Sequence, residues 1–256
     1  MGFPDTERAA CTQKEFNTFS IVARCTHSEQ LGVAVATAVP AVGATCPYVR
    51  TQIGAACTQA WTNPYLALHT LDRIGEGAHV QDALDVTLNG DPERDRRQIG
   101  VVGHDGQVAV WTGAGCTPWC GHETGDGFSV QGNMLTGPEV LDAMAATFEM
   151  TEEDLAERLL RALEAGQAAG GDNRGQQSAA LIVVAKEDYP LLDLRVDEHH
   201  SPIAELRRVL GIGRRQLAPF VAAMPGKTGL KPLPKSVTDM LSLPPPARPG
   251  GGGSQR

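Results

Sequence analysis

Apolar residues follow two spacings along this chain, and the switches between them set the expected architecture. Continuous apolar runs at 18–24 (TFSIVAR) and 31–37 (LGVAVAT) predict two strands joined as a hairpin through His27, Ser28, Glu29 and Gln30. A third strand is expected over about 53–61, where Gly54, Ala55 and Ala56 are small enough for close packing of the sheet. Leu66, Leu68, Leu71 and Ile74 then fall at helical spacing, opened by Asn63-Pro64 and closed by Gly75 and Gly77. A second helix is expected over about 80–88. Strands return at 98–102 and 108–112, joined by His104-Asp105-Gly106, and a short one at 128–131 follows a Gly-rich loop.

Two further helices are predicted over 138–148 and 152–165. The second begins with a capping-box-like Thr151 and Asp154 and carries the stripe Leu155, Leu159, Leu160 and Leu163. Strands at 179–184 and 191–196 and a helix from Ser201-Pro202 to about 210 complete the patterned part. Strand hairpins that alternate with helix pairs predict an α+β fold: a four-layer αββα sandwich with mostly antiparallel sheets. Residues 1–17 read as an arm or cleavable leader, 18–200 as the sandwich and 201–224 as a helical extension. Residues 225–256, rich in Pro and Gly, read as a disordered tail.

Composition removes several functions. The formal net charge of −8 argues against nucleic acid as a partner. Lysine occurs only at 14, 186, 227, 231 and 235, which leaves little room for a lysine base or Schiff base. No run approaches the ~18 apolar residues of a membrane span, and the N-terminus lacks the apolar core of a secretory signal. A cytoplasmic protein without a membrane partner is expected. The cysteines at 11, 25, 46, 57, 116 and 120 show no framework spacing and read as reduced, mostly buried residues.

Many short motifs, in order, carry a resemblance. TFSIVAR (18–24), LGVAVAT (31–37), PAVGA (40–44), TQAWTNP (58–64) and RQIGVV (97–102) are followed by TG (112–113) and GH (121–122). QGNML (131–135) and AGGDNRGQQSAALIVV (169–184) complete the set. Over roughly 18–208 the chain resembles the family catalogued as domain of unknown function 1028, placed by fold similarity with the N-terminal-nucleophile (Ntn) hydrolases. The resemblance implies the Ntn type of αββα sandwich. In many relatives the threonine matching Thr18 directly follows the initiator Met; here sixteen residues lie between Met1 and Thr18. Some longer relatives carry a peptidoglycan-binding segment at the C-terminus, which this tail is too short to match.

Candidate chemistry follows from these positions. Thr18 is a nucleophile if its α-amino group is liberated, because that amine, with an unperturbed pKa near 8, deprotonates the hydroxyl. Its bland alternative is a threonine that starts a strand. Ser20 shares its sheet face and reads as a helper or as packing. Asn133 and nearby amides are an oxyanion-hole candidate or a turn. In the polar run 170–178, Arg174 is placed to hold a substrate carboxylate and Asp172 an ammonium, with Gln177 and Ser178 as further donors. An internal salt bridge closing a tight turn is the alternative. Gln59 and Asn63 are cleft-lining or buried polar residues that must find partners.

Cys116, Cys120 and His122 form C-x3-C-x-H beside Glu123, but no metal or other cofactor is expected, since a fourth ligand and the usual spacing are missing. Asp197, His199 and His200 read as a solvated turn before the last helix, with metal binding as the alternative. Together these features predict an Ntn-type amidohydrolase, matured by autoprocessing, that acts on a small amide or acylated amino compound. A self-associating homo-oligomer is expected. The alternative from another class is a non-catalytic small-molecule or cell-wall-fragment binding protein on the same fold. A zinc enzyme on the cysteine cluster is third.

Overall fold

A computed structural model describes residues 18–254. The arm expected at 1–17 lies outside the described residues. β1 (Thr18–Arg24) and β2 (Leu31–Thr37) form the expected hairpin, in a register that sets Thr18 opposite Thr37 and Arg24 opposite Leu31. Their faces are divided by the two-residue period. Phe19, Ile21 and Ala23 join a core against helices, while Val22 joins a core against the second sheet. Because both faces are covered, these strands read as continuous apolar runs and not as alternations.

Eight more strands follow: β3 (Pro47–Arg50), β4 (Gly54–Ala60), β5 (Arg97–Gly103), β6 (Val108–Thr112), β7 (Gly121–Gly125), β8 (Phe128–Asn133), β9 (Ser178–Val184) and β10 (Leu192–Val196). They build a six-stranded sheet in the order β10-β9-β2-β1-β8-β7 and a four-stranded sheet in the order β3-β4-β5-β6. Every pairing between them is antiparallel. The helices are α1 (Pro64–Gly75), α2 (Val80–Asn89), α3 (Glu139–Met150), α4 (Leu155–Ala168), α5 (Pro202–Ala222) and α6 (Lys235–Ser242).

Three apolar clusters record the layering. One lies between the six-stranded sheet and α3, α4 and α5, with Phe19, Ile21, Met144, Phe148, Leu159 and Leu206 at its centre. A second, including Val22, Val33, Cys57 and Val102, lies between the two sheets. The third packs Leu66, Leu71, Leu84 and Leu88 of α1 and α2 on Ile99 and Val101 of β5. Thr18 begins the strand fourth in the order of the larger sheet, with β2 on one side and β8 on the other.

The pattern missed two strands, both at sheet edges. β3 is short and half-buried and begins on Pro47, which an edge strand tolerates because its outward N–H is not needed. β7, in the Gly-rich loop, alternates half-buried and exposed polar residues and has no apolar side to betray it. Helix starts also moved. Asp154, not Thr151, caps α4, accepting from the Glu157 N–H at 3.0 Å, whereas Thr151 donates to the Thr147 carbonyl at 2.7 Å and closes α3.

α5 continues past the expected end near 210 because Leu206, Leu210 and Val221 stay buried and two arginines tie it to α4. Arg207 reaches Glu157 (2.7 Å) and Glu164 (2.8 Å), and Arg214 reaches Glu157 (2.9 Å) and Asp154 (2.7 Å). In the segment expected to be disordered, α6 forms with Val237 buried, alongside α5. No helix among the described residues is long and apolar enough to cross a membrane.

Candidate functional site

Polar side chains concentrate between the two sheets, at the end where β1 begins and β8 finishes. Thr18 is 2 % exposed, and its hydroxyl lies 3.2 Å from the Thr37 hydroxyl across the hairpin. On the other side its register partner is Asn133. Thr18 also lines a cavity of about 310 Å³ together with Val39, Pro40, Val42, Thr45, Cys46, Thr62 and Pro64. Thr18 thus combines a strand start, a hydroxyl paired with a neighbouring hydroxyl and a place in a cavity wall.

Behind Thr18 runs a chain of buried amides. Gln59, on β4, donates from Nε2 to the Thr18 carbonyl (3.2 Å), to Gln98 Oε1 (2.8 Å) and to the Gln131 carbonyl (3.2 Å). Its Oε1 accepts from Ser20 Oγ at 2.6 Å, and Ser20 Oγ in turn accepts from Gln131 Nε2 at 2.6 Å. Gln98 Oε1 also accepts from Asn133 Nδ2 at 3.0 Å, and Gln98 Nε2 donates to the carbonyls of Gly132 (2.8 Å) and Gly121 (3.0 Å) and to Thr112 Oγ1 (2.9 Å). Ser129 Oγ donates to Gln131 Oε1 at 3.0 Å. The chain crosses both sheets, so the amides hold β1, β4, β5 and β8 in one register at the end that carries Thr18.

Room for these side chains comes from Gly100. A Cβ there would lie 2.2 Å from Gln131 Oε1 and 2.5 Å from Ser129 Oγ. Of the amides, sequence reasoning named Gln59 and Asn133 but missed Gln98 and Gln131, and it missed Ser129 as well. The signal was present: long amides inside the apolar runs RQIGVV and SVQGN must find partners once buried. What the sequence lacked was the pairing of residues 39 and 111 positions apart.

The other candidates separate. Asp172 is 3 % exposed; its carboxylate accepts from the Ala38 N–H (3.1 Å) and the Arg174 N–H (2.8 Å), and the Arg174 guanidinium donates to it at 3.3 Å. The alternative of an ion pair closing a tight turn describes these contacts, and Ala38 sets the turn one residue beyond Thr37. Gln177 enters through its backbone, donating its N–H to the Thr37 carbonyl (2.8 Å) and accepting from the His199 N–H (2.9 Å). Ser178 Oγ donates to the Val39 carbonyl (2.6 Å) and accepts from the Val42 N–H (3.1 Å), which shapes one cavity wall.

Asn63 caps α1, accepting from the Tyr65 N–H at 3.1 Å and donating to Asp91 at 2.8 Å. Burial opposes ionisation of Asp91, but hydrogen bonds from Arg97 and Asn63 overcome it and hold the carboxyl below its usual range. Asn63 lines a different cavity, between α1 and α2, while its neighbours Thr62 and Pro64 line that of Thr18.

Burial pushes the Cys46 thiol, in the wall of the Thr18 cavity, up to about 11, so it stands there as a neutral S–H. His122 is exposed by surface area, with its Nδ1 2.9 Å from Thr112 Oγ1, and partial desolvation of the ring lowers its basicity. The Cys116 thiol donates to the Arg97 carbonyl at 3.4 Å and that of Cys120 to the Cys116 carbonyl at 3.5 Å. Among the described residues no group of three or more His, Cys, Asp or Glu is arranged to hold a metal ion. In the C-x3-C-x-H stretch the two thiols are turned to backbone carbonyls and the imidazole to a hydroxyl.

Comparisons with known proteins follow the same outline. No curated protein matches the chain. The crystal structure of a protein from Silicibacter pomeroyi, described as DUF1028, superposes with a TM-score of 0.79 at 28% identity, covering 84% of this chain and 96% of that one. Anbu (ancestral beta-subunit) from Yersinia bercovieri aligns with a TM-score of 0.37 at 9% identity, over 81% of this chain and 98% of its own, and carries no argument at that level. The family described as "Family of unknown function (DUF1028)" matches residues 18–206. That match starts on Thr18 itself and runs through every element around the buried amides into α5, and the chain belongs to this family.

Proposed function

We propose that the protein is an amidohydrolase of the N-terminal-nucleophile type, cleaving a small amide or acylated amino compound with Thr18 as nucleophile. The observation that carries the reading is the placement of Thr18: first residue of an interior strand, hydroxyl against Thr37, side chain on a cavity. Helices on the outer face of each of two stacked sheets support the Ntn type of sandwich, by analogy of fold. The chemistry itself rests on the site.

In the mature protein, cleavage of the Asn17–Thr18 bond supplies the α-amine. That amine takes the proton from Thr18 Oγ1, directly or through a water, as the oxygen attacks the substrate carbonyl carbon. Asn133 Nδ2 has two hydrogens, one held on Gln98 Oε1 at 3.0 Å; the other is the donor for the developing oxyanion. Collapse breaks the C–N bond, and the protonated α-amine returns its proton to the leaving amine. The ester left on Thr18 is then attacked by water, which releases the acid and restores the hydroxyl. Asp172 and Arg174 in this reading fix the loop beside Thr37.

A ligand-binding protein on the same fold is the second reading, favoured by one observation: the sequence carries Asn17 before Thr18, and Thr18 has no amine while that bond is intact. Intact mass and N-terminal sequencing of protein from its native host divide the two. A chain beginning at Thr18 that forms a Thr18 ester with acyl-coumarin amides, and a Thr18→Ala chain that does not, is the expected result. A native protein that keeps residues before Thr18, with no acyl adduct on a chain made to begin there, would sink the hydrolase.

A further inference from the structure

The cavity beside Thr18 also restricts what the site accepts. Its described lining holds five apolar or weakly polar residues, Val39, Pro40, Val42, Cys46 and Pro64, with hydroxyls only from threonines and no charged side chain. The Cys46 thiol is neutral there. Asp172 and Arg174 pair with each other in the neighbouring turn, where Asp172 also takes the Ala38 N–H at 3.1 Å, and Arg195 pairs with Asp197.

The walls are also fixed. Ser178 clamps Val39 and Val42, the Ala41 N–H donates to the Asp197 carbonyl at 2.8 Å, and the Thr58 N–H donates to the Cys46 carbonyl at 3.0 Å. A pocket of 310 Å³ with such walls holds about ten water-sized groups at liquid density. Two or three of these positions belong to the amide.

We infer that this cavity is an acyl pocket and that the substrates are amides of uncharged, apolar acyl groups of about six to eight carbons. The inference rests on Thr18 being the nucleophile. The acyl half is assigned to the cavity because it stays bound to Thr18 through both half-reactions, whereas the amine must leave to admit water. A walled cavity suits the half that stays. A charged acyl group would be buried there without a partner, which is strongly unfavourable.

The test uses a chain beginning at Thr18 and coumarin amides of acetic, butyric, hexanoic, octanoic, dodecanoic and succinic acids. kcat/KM is expected to rise about fourfold per methylene up to hexanoyl and to fall at dodecanoyl. The succinyl amide is expected on the order of 100-fold below butyryl. Val42→Trp, which fills the pocket, and Thr45→Phe, at its exposed rim, each lower the hexanoyl-to-acetyl ratio on the order of tenfold; the rim variant guards against misfolding of the buried one.

The same amides are tested for binding to the Thr18→Ala chain by fluorescence polarisation. Turnover that is indifferent to chain length, or equal for succinyl, overturns the acyl pocket and leaves the hydrolase standing. Absence of turnover with hexanoyl-selective binding overturns the hydrolase and keeps the pocket's selectivity. Absence of both overturns the inference together with the reading it rests on.

Discussion

Replacing Gln59 with Leu removes the centre of the buried amide chain while nearly keeping its volume, so the cost measures the hydrogen bonds. The substitution takes donors from the Thr18 and Gln131 carbonyls, each at 3.2 Å, and the acceptor from Ser20 Oγ at 2.6 Å. Gln98 Oε1 keeps Asn133 as a donor. An orphaned buried polar group costs about 1–3 kcal/mol, and the low end applies to the two carbonyls because both lie in paired strands. Three such groups come to a loss of about 3 kcal/mol. For a chain of this size that corresponds to a fall in Tm of about 6–12 °C.

Urea unfolding followed by circular dichroism gives the number directly. The double change Gln59→Leu with Gln98→Leu removes their shared 2.8 Å bond only once, so it should cost about 1 kcal/mol less than the sum of the single changes. A Gln59→Leu protein within 1 kcal/mol of the native one, or a strictly additive pair, would refute the reasoning.

Glu123, raised to about 7 by burial and by the neighbouring carboxylates of Asp142 and Glu149, is easier to protonate folded than unfolded. Its contribution is therefore fully present below the unfolded value near 4.5 and is lost as pH rises through 7, and Glu123→Gln should gain about 1 kcal/mol over the native protein between pH 5 and 8 in urea melts. Glu157 has the opposite sign: burial resists its ionisation, but Arg207 and Arg161 hold it at about 2. Its support is present above the unfolded value near 4.5 and lost as pH falls towards 2, so Glu157→Gln should cost about 2–3 kcal/mol at pH 7 and much less at pH 2.5. Asn63→Ala, which uncaps α1 and leaves Asp91 short of a donor, is expected to lose about 1–2 kcal/mol by thermal melting. Gly100→Ala forces a Cβ to within 2.2 Å of Gln131 Oε1 and is expected to lose about 1–3 kcal/mol, with the same assay reading it.

The strands and helices with a buried face were legible, because burial writes a period into the sequence. TFSIVAR and LGVAVAT are read as strands for the same reason that they are buried on both sides. β7 had no such period: its residues GHETG pair with β8 along one side and face outward on the other. The length of α5 was hidden differently. Gly211, Gly213 and Pro219 argue against a helix locally, and the ion pairs from Arg207 and Arg214 to α4 that support it join residues 43 to 60 positions apart.

At the site, position was legible and partnership was not. The two-residue period correctly put Ser20 on the face of Thr18, where it would serve as a helper if its hydroxyl were unengaged. Its proton is directed at Gln59 Oε1 and it accepts from Gln131 Nε2, both at 2.6 Å, so Ser20 is part of the scaffold. Gln59, Gln98 and Gln131 bond to one another, to Ser20, Ser129, Thr112 and Asn133, or to backbone carbonyls, and residues so engaged position their neighbours. Thr18 stands at the end of this chain: its carbonyl is held by Gln59, its hydroxyl pairs with that of Thr37, and the residue lies in a cavity wall. The amide network accounts for how the backbone of Thr18 is held at that strand start. Among the described residues the network reaches Thr18 through its backbone carbonyl, which any residue at that position would supply. Among the described residues the hydroxyl is bonded to the Thr37 hydroxyl, and the residue stands in the cavity wall, so the proposed role of Thr18 is the reading that gives its side chain a use.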